Sequence, residues 1–273
     1  MFVTERGGHA RQLTKAAVAR GARLVMAWGG DGTINEVASA LAFGEVPLGI
    51  VPAGSGNGLA RQLGVSPAAA DAIRQAMSAE PRRIDVGELG DRLFMNVAGV
   101  GFDAHVAGRF ATSGLRRGLV TYAITSAEAL MTYRPAHYTI TTPEGVVHVR
   151  ALLVTVANSA EFGNGACIAP GAVVDDGWLD LVVMEERARF ARLKTVWNLR
   201  RLFNGTVERA PGCSMRRVRQ ATIESDRPMA YHVDGEPVAG GTSLRVRIYP
   251  GALNVCVAPE SVAAGFSRPA SSA

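Results

Sequence analysis

Apolar and polar positions along this chain follow two rhythms, and the change between them divides it. In the first part, Leu13, Ala16 and Ala17 recur at helical spacing and predict an amphipathic helix over 9–20. Short apolar runs at 24–27 and 48–51 predict buried strands. Each leads into a glycine-rich turn and then a helical pattern, 34–41 and 58–63. Phe2 to Thr4 reads as the end of a further strand, and Arg6-Gly7-Gly8 as a turn. Ser66 as N-cap with Pro67 at the first helical position predicts another helix running to about 79.

Glu80-Pro81-Arg82-Arg83 interrupts the helical rhythm, and strand patterns follow it. They occupy 84–89, 93–100, 138–142, 146–157, 179–184, 215–224, 231–233, 244–249 and 253–257. Consecutive strands without intervening helices imply an antiparallel sandwich. Two helical insertions, 119–131 and 188–203, interrupt it. The expected organisation is therefore α/β plus β. Residues 1–82 form a Rossmann-like nucleotide domain, 83–258 a β-sandwich substrate domain, and 259–273 a flexible tail.

The two glycine turns carry the candidate chemistry. They are Gly29-Gly30-Asp31-Gly32-Thr33 and Pro52-Ala53-Gly54-Ser55-Gly56-Asn57. Parallel strands in one sheet would bring both to its carboxyl edge, where open α/β sheets bind ligands. Glycine lets backbone N–H groups approach a phosphate, and a following helix N-terminus adds a favourable field. Asp31 puts a carboxylate beside that anion, which implies a divalent cation or a proton transfer. No Gly-Lys-Ser/Thr of a Walker loop occurs. Ala53 and Asn57 stand where a nucleophile elbow around Ser55 would need glycine. Gly99 to Ala104 fits a loose dinucleotide fingerprint but lacks a following parallel unit, so it reads as a tight turn, with Asp103 capping the next helix.

Composition narrows the class. The net charge is +5 and hydrophobic residues make up 48% of the chain, which suits a globular protein with a large core. Nearly all basic residues are arginine, suited to phosphate and anionic head groups. No nucleic-acid motif accompanies them. No apolar run reaches the ~18 residues of a membrane span, and the N-terminus has no signal architecture. Cys167, Cys213 and Cys256 form neither a disulfide framework nor a metal knuckle, so a reducing cytoplasm is expected. Basic and apolar residues alternate over 187–201 around Phe190 and Trp197, either a membrane-surface helix or a helix packed on the sandwich.

Taken together, Gly29-Gly30-Asp31-Gly32-Thr33-Ile34-Asn35-Glu36 and the Gly54-Ser55-Gly56-Asn57 turn resemble the diacylglycerol kinase catalytic domain family. Bacterial lipid kinases and sphingosine kinases belong to that family. The first motif is also shared with NAD kinases. The stretches 96–104, 175–180 and 233–236 separate the two, and the set spans about 2–258.

The resemblance implies an ATP- and Mg²⁺-dependent transfer of the γ-phosphoryl group to a hydroxyl of diacylglycerol or a sphingoid-like lipid. It implies a cleft between two domains and a cytoplasmic enzyme in peripheral contact with a membrane. Thr4, Gly30 to Glu36 and Ser55 match nucleotide-contacting positions, and Arg61 a basic position near the phosphates. Glu236 matches the proton acceptor for the lipid hydroxyl. Asp176 matches a Mg²⁺ ligand, with the carbonyls of Val173 and Trp178 beside it. Asp31, Asp85 and Asp234 match other acidic positions that support metal or substrate. Read from the residues alone, Asp234-Gly235-Glu236 and Asp175-Asp176-Gly177 are equally hairpin turns.

Two departures stand out. The chain opens in what corresponds to the family's second strand, without the Asn-Pro-x-Ser/Ala-Gly loop that helps hold the nucleotide. Either the start is assigned too late, or the nucleotide site is weakened and a sheet edge is left open to pair, for instance with a second copy. A non-catalytic relative that binds lipid or nucleotide is therefore the alternative. Gly58 stands where many bacterial diacylglycerol kinases have aspartate.

Overall fold

The computed structural model describes residues 1–113, 128–129, 132–163, 165–185, 201 and 204–257. The expected tail, the basic segment 187–200 and most of the two expected helical insertions lie outside these residues.

The first unit alternates helix and strand as its hydrophobic pattern requires. It contains α1 (His9–Ala19), β1 (Val25–Gly29), α2 (Asp31–Leu41), β2 (Leu48–Pro52), α3 (Gly58–Gln62) and α4 (Ala69–Ser78). β1 and β2 run parallel, with Val25 opposite Leu48 and Gly29 opposite Pro52. Both glycine turns therefore leave the sheet at the same level. Ile34, Val37 and Leu41 on α2 pack with Leu48 and Ile50 on β2 and with Leu59 and Leu63. Leu48 and Ile50 are fully buried, so truncating either to alanine would cost about 2–5 kcal/mol.

The second unit is antiparallel. It comprises β3 (Pro81–Leu89), β4 (Arg92–Phe94), β5 (Val97–Gly101), α5 (Phe102–Ser113), β6 (Ala136–Thr142), β7 (Gly145–Ala157) and β8 (Leu179–Glu185). β9 (Cys213–Val218), β10 (Gln220–Ser225), β11 (Ala230–Val233), β12 (Glu236–Ala239) and β13 (Ser243–Cys256) complete it. Its core is built from inward positions such as Phe94, Tyr138, Val154, Val156, Ile223 and Tyr231. β13 joins the units. It pairs with β3 antiparallel from Val246–Leu89 to Cys256–Pro81, and its Val255 meets Leu48 of β2 in parallel. Among the described residues this makes one continuous sheet, ordered β1-β2-β13-β10-β6-β7-β5-β11-β12, with β3, β4, β8 and β9 branching from it.

Several sequence expectations shift in detail. Phe2 to Thr4 forms no strand; Phe2 and Val3 are exposed and enter no ladder. The helix expected from Pro67 begins at Ala69, because Ser66 Oγ accepts the Ala68 N–H at 3.2 Å and closes a local turn first. Pro81 opens β3, a position that needs no preceding ladder donor. The strand expected over 215–224 is two strands with different partners: β9 pairs with β8, β10 with β6 and β13. The two strands expected over 244–257 are one, continuous through an irregularity between Tyr249 and Leu253. The strand expected over 93–100 breaks at Met95-Asn96. Gly101, at φ 107°, passes directly from β5 into α5 rather than forming a free turn.

Candidate active site

The two glycine turns meet back to back. A Cβ on Gly54 would lie 2.6 Å from Gly30 Cα. Only glycine at both positions allows this approach. Asp31, at the start of α2, holds the second turn from the first. Its Oδ2 accepts the Asn57 N–H at 2.9 Å and its Oδ1 the Gly58 N–H at 2.7 Å. Asn57 completes the loop. It sits in the left-handed region at φ 50°, which asparagine tolerates. Its side chain accepts from Gly54 N and donates to Gly54 O, each at 2.8 Å.

The turn between β11 and β12 reaches across from the sandwich. Asp234 (φ 48°) and Gly235 (φ 84°) are both left-handed, so the chain reverses tightly there. The Asp234 carboxylate accepts four hydrogen bonds: from Asn35 Nδ2 at 2.8 Å, Met95 N at 2.9 Å, Asn96 N at 2.9 Å and Val97 N at 3.1 Å. It ties α2 of the first unit to the β4–β5 junction of the second. Beneath the turn, the buried Asp103 Oδ2 accepts from Thr155 Oγ1 at 2.7 Å and lies 3.2 Å from His232 Nε2. Glu236 follows at the start of β12 and is exposed. A Cβ on Gly32 would meet its Oε1 at 2.9 Å, so this carboxylate lies directly over the first glycine turn.

Burial disfavours the charged form of Asp31 and Asp234 and raises both pKa values. For Asp31 the nearby Asp234 charge adds to the rise and the amides of Gly58 and Asn57 oppose it. For Asp234 the Met95, Asn96 and Val97 amides and Asn35 oppose it.

These elements enclose a cleft of about 920 Å³. Thr4, Gly30, Asp31, Gly32, Thr33, Asn35, Glu36, Gly54, Ser55 and Glu236 line it. Gly29, Ile34, Gly56, Asn57 and Arg61 do not. Gly29 and Asn57 shape the turns, and Ile34 is core. Gly56 packs beside Asp31 and Gly163. Arg61 pairs with Glu161 at 3.1 Å. Glu36 has a second task at the rim: its carboxylate accepts from Gly8 N at 2.6 Å and Arg11 N at 3.4 Å, capping α1. Arg6, Arg11 and Arg92 line the same cleft and were not singled out from the sequence. Arg6 had a signal, the glycine turn ahead of a helix. Arg92 had none, because only the pairing of β4 with β3 brings it to the rim.

Asp85, Val173, Asp176 and Trp178 lie outside the cleft lining, around the turn that precedes β8. Asp85 is buried and accepts from Gly177 N at 2.6 Å and Gly251 N at 2.7 Å. Asp176 Oδ1 accepts from Trp178 N at 3.1 Å, and its Oδ2 is paired with Arg217. Asp175 faces Arg82 at 3.6 Å. Among the described residues no group of three or more His, Cys, Asp or Glu side chains could hold a metal ion. Asp176, with one oxygen on a backbone amide and the other on a guanidinium, has no oxygen left for a divalent cation in this arrangement.

Residues 1–89 match the model of the diacylglycerol kinase catalytic domain, and residues 96–257 that of the YegS C-terminal NAD kinase beta sandwich-like domain. A "probable lipid kinase YegS-like" of Chromohalobacter salexigens is 32% identical over 267 residues, 96% of this chain and 84% of that protein. The chain belongs to the YegS-like lipid kinase family. A Pseudomonas fluorescens member of the family is 31% identical over 97% of this chain and 88% of its own length. The chain is thus a kinase, with the family's catalytic domain followed by its sandwich. Among solved structures, a diacylglycerol kinase from Bacillus anthracis superposes with a TM-score of 0.71 at 20% identity, covering 95% of this chain and 85% of that one. An NAD kinase from Archaeoglobus fulgidus in complex with ATP superposes with a TM-score of 0.52 at 13% identity, covering 96% and 93%. Both share the fold. No helix among the described residues is long and apolar enough to cross a membrane.

Proposed function

We propose that this kinase transfers the γ-phosphoryl group of MgATP to the hydroxyl of a lipid alcohol, diacylglycerol or a sphingoid-like lipid, with Glu236 as the proton acceptor. The placement of the Glu236 carboxylate over Gly32 supports this most directly. A lipid hydroxyl is a poor nucleophile, and a carboxylate that removes its proton as the O–P bond forms is worth roughly 10²–10⁴-fold in rate. Phosphoryl transfer otherwise asks a protein for positioning and charge neutralisation. The touching glycine turns supply main-chain N–H groups to the phosphates, and Arg6, Arg11 and Arg92 supply positive charge at the cleft wall. MgATP enters as substrate, with its metal held on its own phosphates.

In this reading Asp31 and Asp234 act by position. Asp31 fixes the second glycine turn, and Asp234 fixes the turn that carries Glu236. The lipid reaches the cleft from a membrane surface on the cytoplasmic side, with peripheral contact. The test is transfer of labelled γ-phosphate from MgATP to mixed-lipid micelles by wild type and Glu236→Gln. The expected outcome is labelled lipid with wild type, its loss in the variant, and nearly unchanged nucleotide affinity. Full turnover in Glu236→Gln removes Glu236 as the base. A folded wild type that binds lipid or nucleotide yet transfers nothing favours a non-catalytic relative.

A further inference from the structure

Around the turn that precedes β8, every carboxylate has a partner supplied by the protein. Asp85 takes the Gly177 and Gly251 amides, Asp175 faces Arg82, and Asp176 takes the Trp178 amide and the Arg217 guanidinium. The sheet register delivers the last of these. β9 lies beside β8 with Arg217 opposite Asp180, which brings the guanidinium back over the turn that begins β8. The Trp178 ring then steadies it. Arg217 Cζ lies 5.3 Å from the ring centroid and Arg219 Cζ 4.4 Å, so the indole carries two cations.

We infer that Arg217 supplies at Asp176 the positive charge that a divalent metal would otherwise supply, so that this turn holds its shape without a metal ion. Three physical points carry this. Asp176 gives one oxygen to the Trp178 amide, and Arg217 occupies the other. A divalent cation placed there would face a guanidinium at contact distance, where like charges repel strongly in the partly dehydrated site. The pair is only partly exposed, at 26% for Asp176 and 36% for Arg217, so it is less screened than a surface ion pair. The inference concerns the sandwich alone and holds whatever the cleft accepts.

The test is thermal unfolding of the full chain without nucleotide, in EDTA and in millimolar MgCl₂ or CaCl₂. Wild type is expected to show the same Tm in all three. Arg217→Ala is expected to unfold at lower temperature in EDTA and to recover with either ion by roughly 3 °C or more, as the freed carboxylate takes a hydrated cation. That recovery should vanish when Asp176→Asn is added. Arg217→Lys, which keeps the charge, should remain insensitive to metal and serves if the alanine variant does not fold. A wild-type Tm that rises with Mg²⁺ and loses that rise in Asp176→Asn overturns the inference. So does an Arg217→Ala protein as stable as wild type in EDTA, or one that no metal restores. Because no nucleotide or lipid enters this experiment, its failure leaves the kinase reading standing.

Discussion

Asp31, Asp234 and Glu236 at the cleft, and Asp85, Asp175 and Asp176 at the turn before β8, are two carboxylate sets with a common foundation and different ends. Each set has at least one aspartate, half-buried at the cleft and buried at the turn, that spends its oxygens on backbone N–H groups: Asp31 on Asn57 and Gly58, Asp234 on Met95, Asn96 and Val97, and Asp85 on Gly177 and Gly251. These aspartates tie together segments distant in sequence. The sets differ in what remains. At the second, the remaining carboxylates face Arg82 and Arg217. At the first, Glu236 remains on the wall of a cleft lined by glycine turns. Chemistry is therefore expected at the set that borders a space for substrate, and stability at the set closed by Arg82 and Arg217.

The largest effect that can break this comparison is Glu236→Gln. Turnover should fall by about 10²–10⁴-fold while the protein stays folded, measured by phosphate transfer and calorimetry. Loss of stability in step with activity would place Glu236 with the structural set. Next is Asp234→Ala. It strips one acceptor from four donors and should destabilise by roughly 3 kcal/mol or more in a urea titration, with turnover falling because the Glu236 turn loosens.

Asp85→Ala sharpens the contrast. It orphans the Gly177 and Gly251 amides and should cost about 2–3 kcal/mol, while the folded fraction keeps its kcat. A selective loss of kcat would couple that turn to the cleft. The smallest effect is a pH dependence at Asp31. Its pKa is raised in the fold, so its contribution to stability is present below the unfolded value and is lost as pH rises through the folded value. Asp31→Asn does not titrate. Its stability relative to wild type should therefore increase with pH across that window, read from urea midpoints. A flat difference would mean that the amides of Gly58 and Asn57 fully offset burial.

Much of the first unit was legible because its signals are local. Strand, glycine turn and helix follow one another within a few residues, and helical or alternating periodicity marks each element. The sandwich was legible as a class and less so in its joints. The corner at Arg219 and the continuity of β13 depend on which strands accept the pairing, information held in other strands of the chain. The cleft residues divide in the same way. Gly30, Asp31 and Gly54 announce themselves by spacing, whereas Arg92 reaches the rim only through the β3–β4 hairpin.

The sequence by itself determined the family, the α/β-then-β order of the fold, and the identity of the glycine turns and the acidic turns. Those properties are written in contiguous residues whose backbone preferences and spacing act at short range. Only the tertiary structure decided what each acid does. It set Asp31 to hold the second glycine turn, Asp234 to clamp the two units, Asp176 to meet Arg217 and Glu236 to lie over Gly32. A carboxylate's role depends on which donors and charges surround it, and the pairing of strands distant in sequence chooses those neighbours.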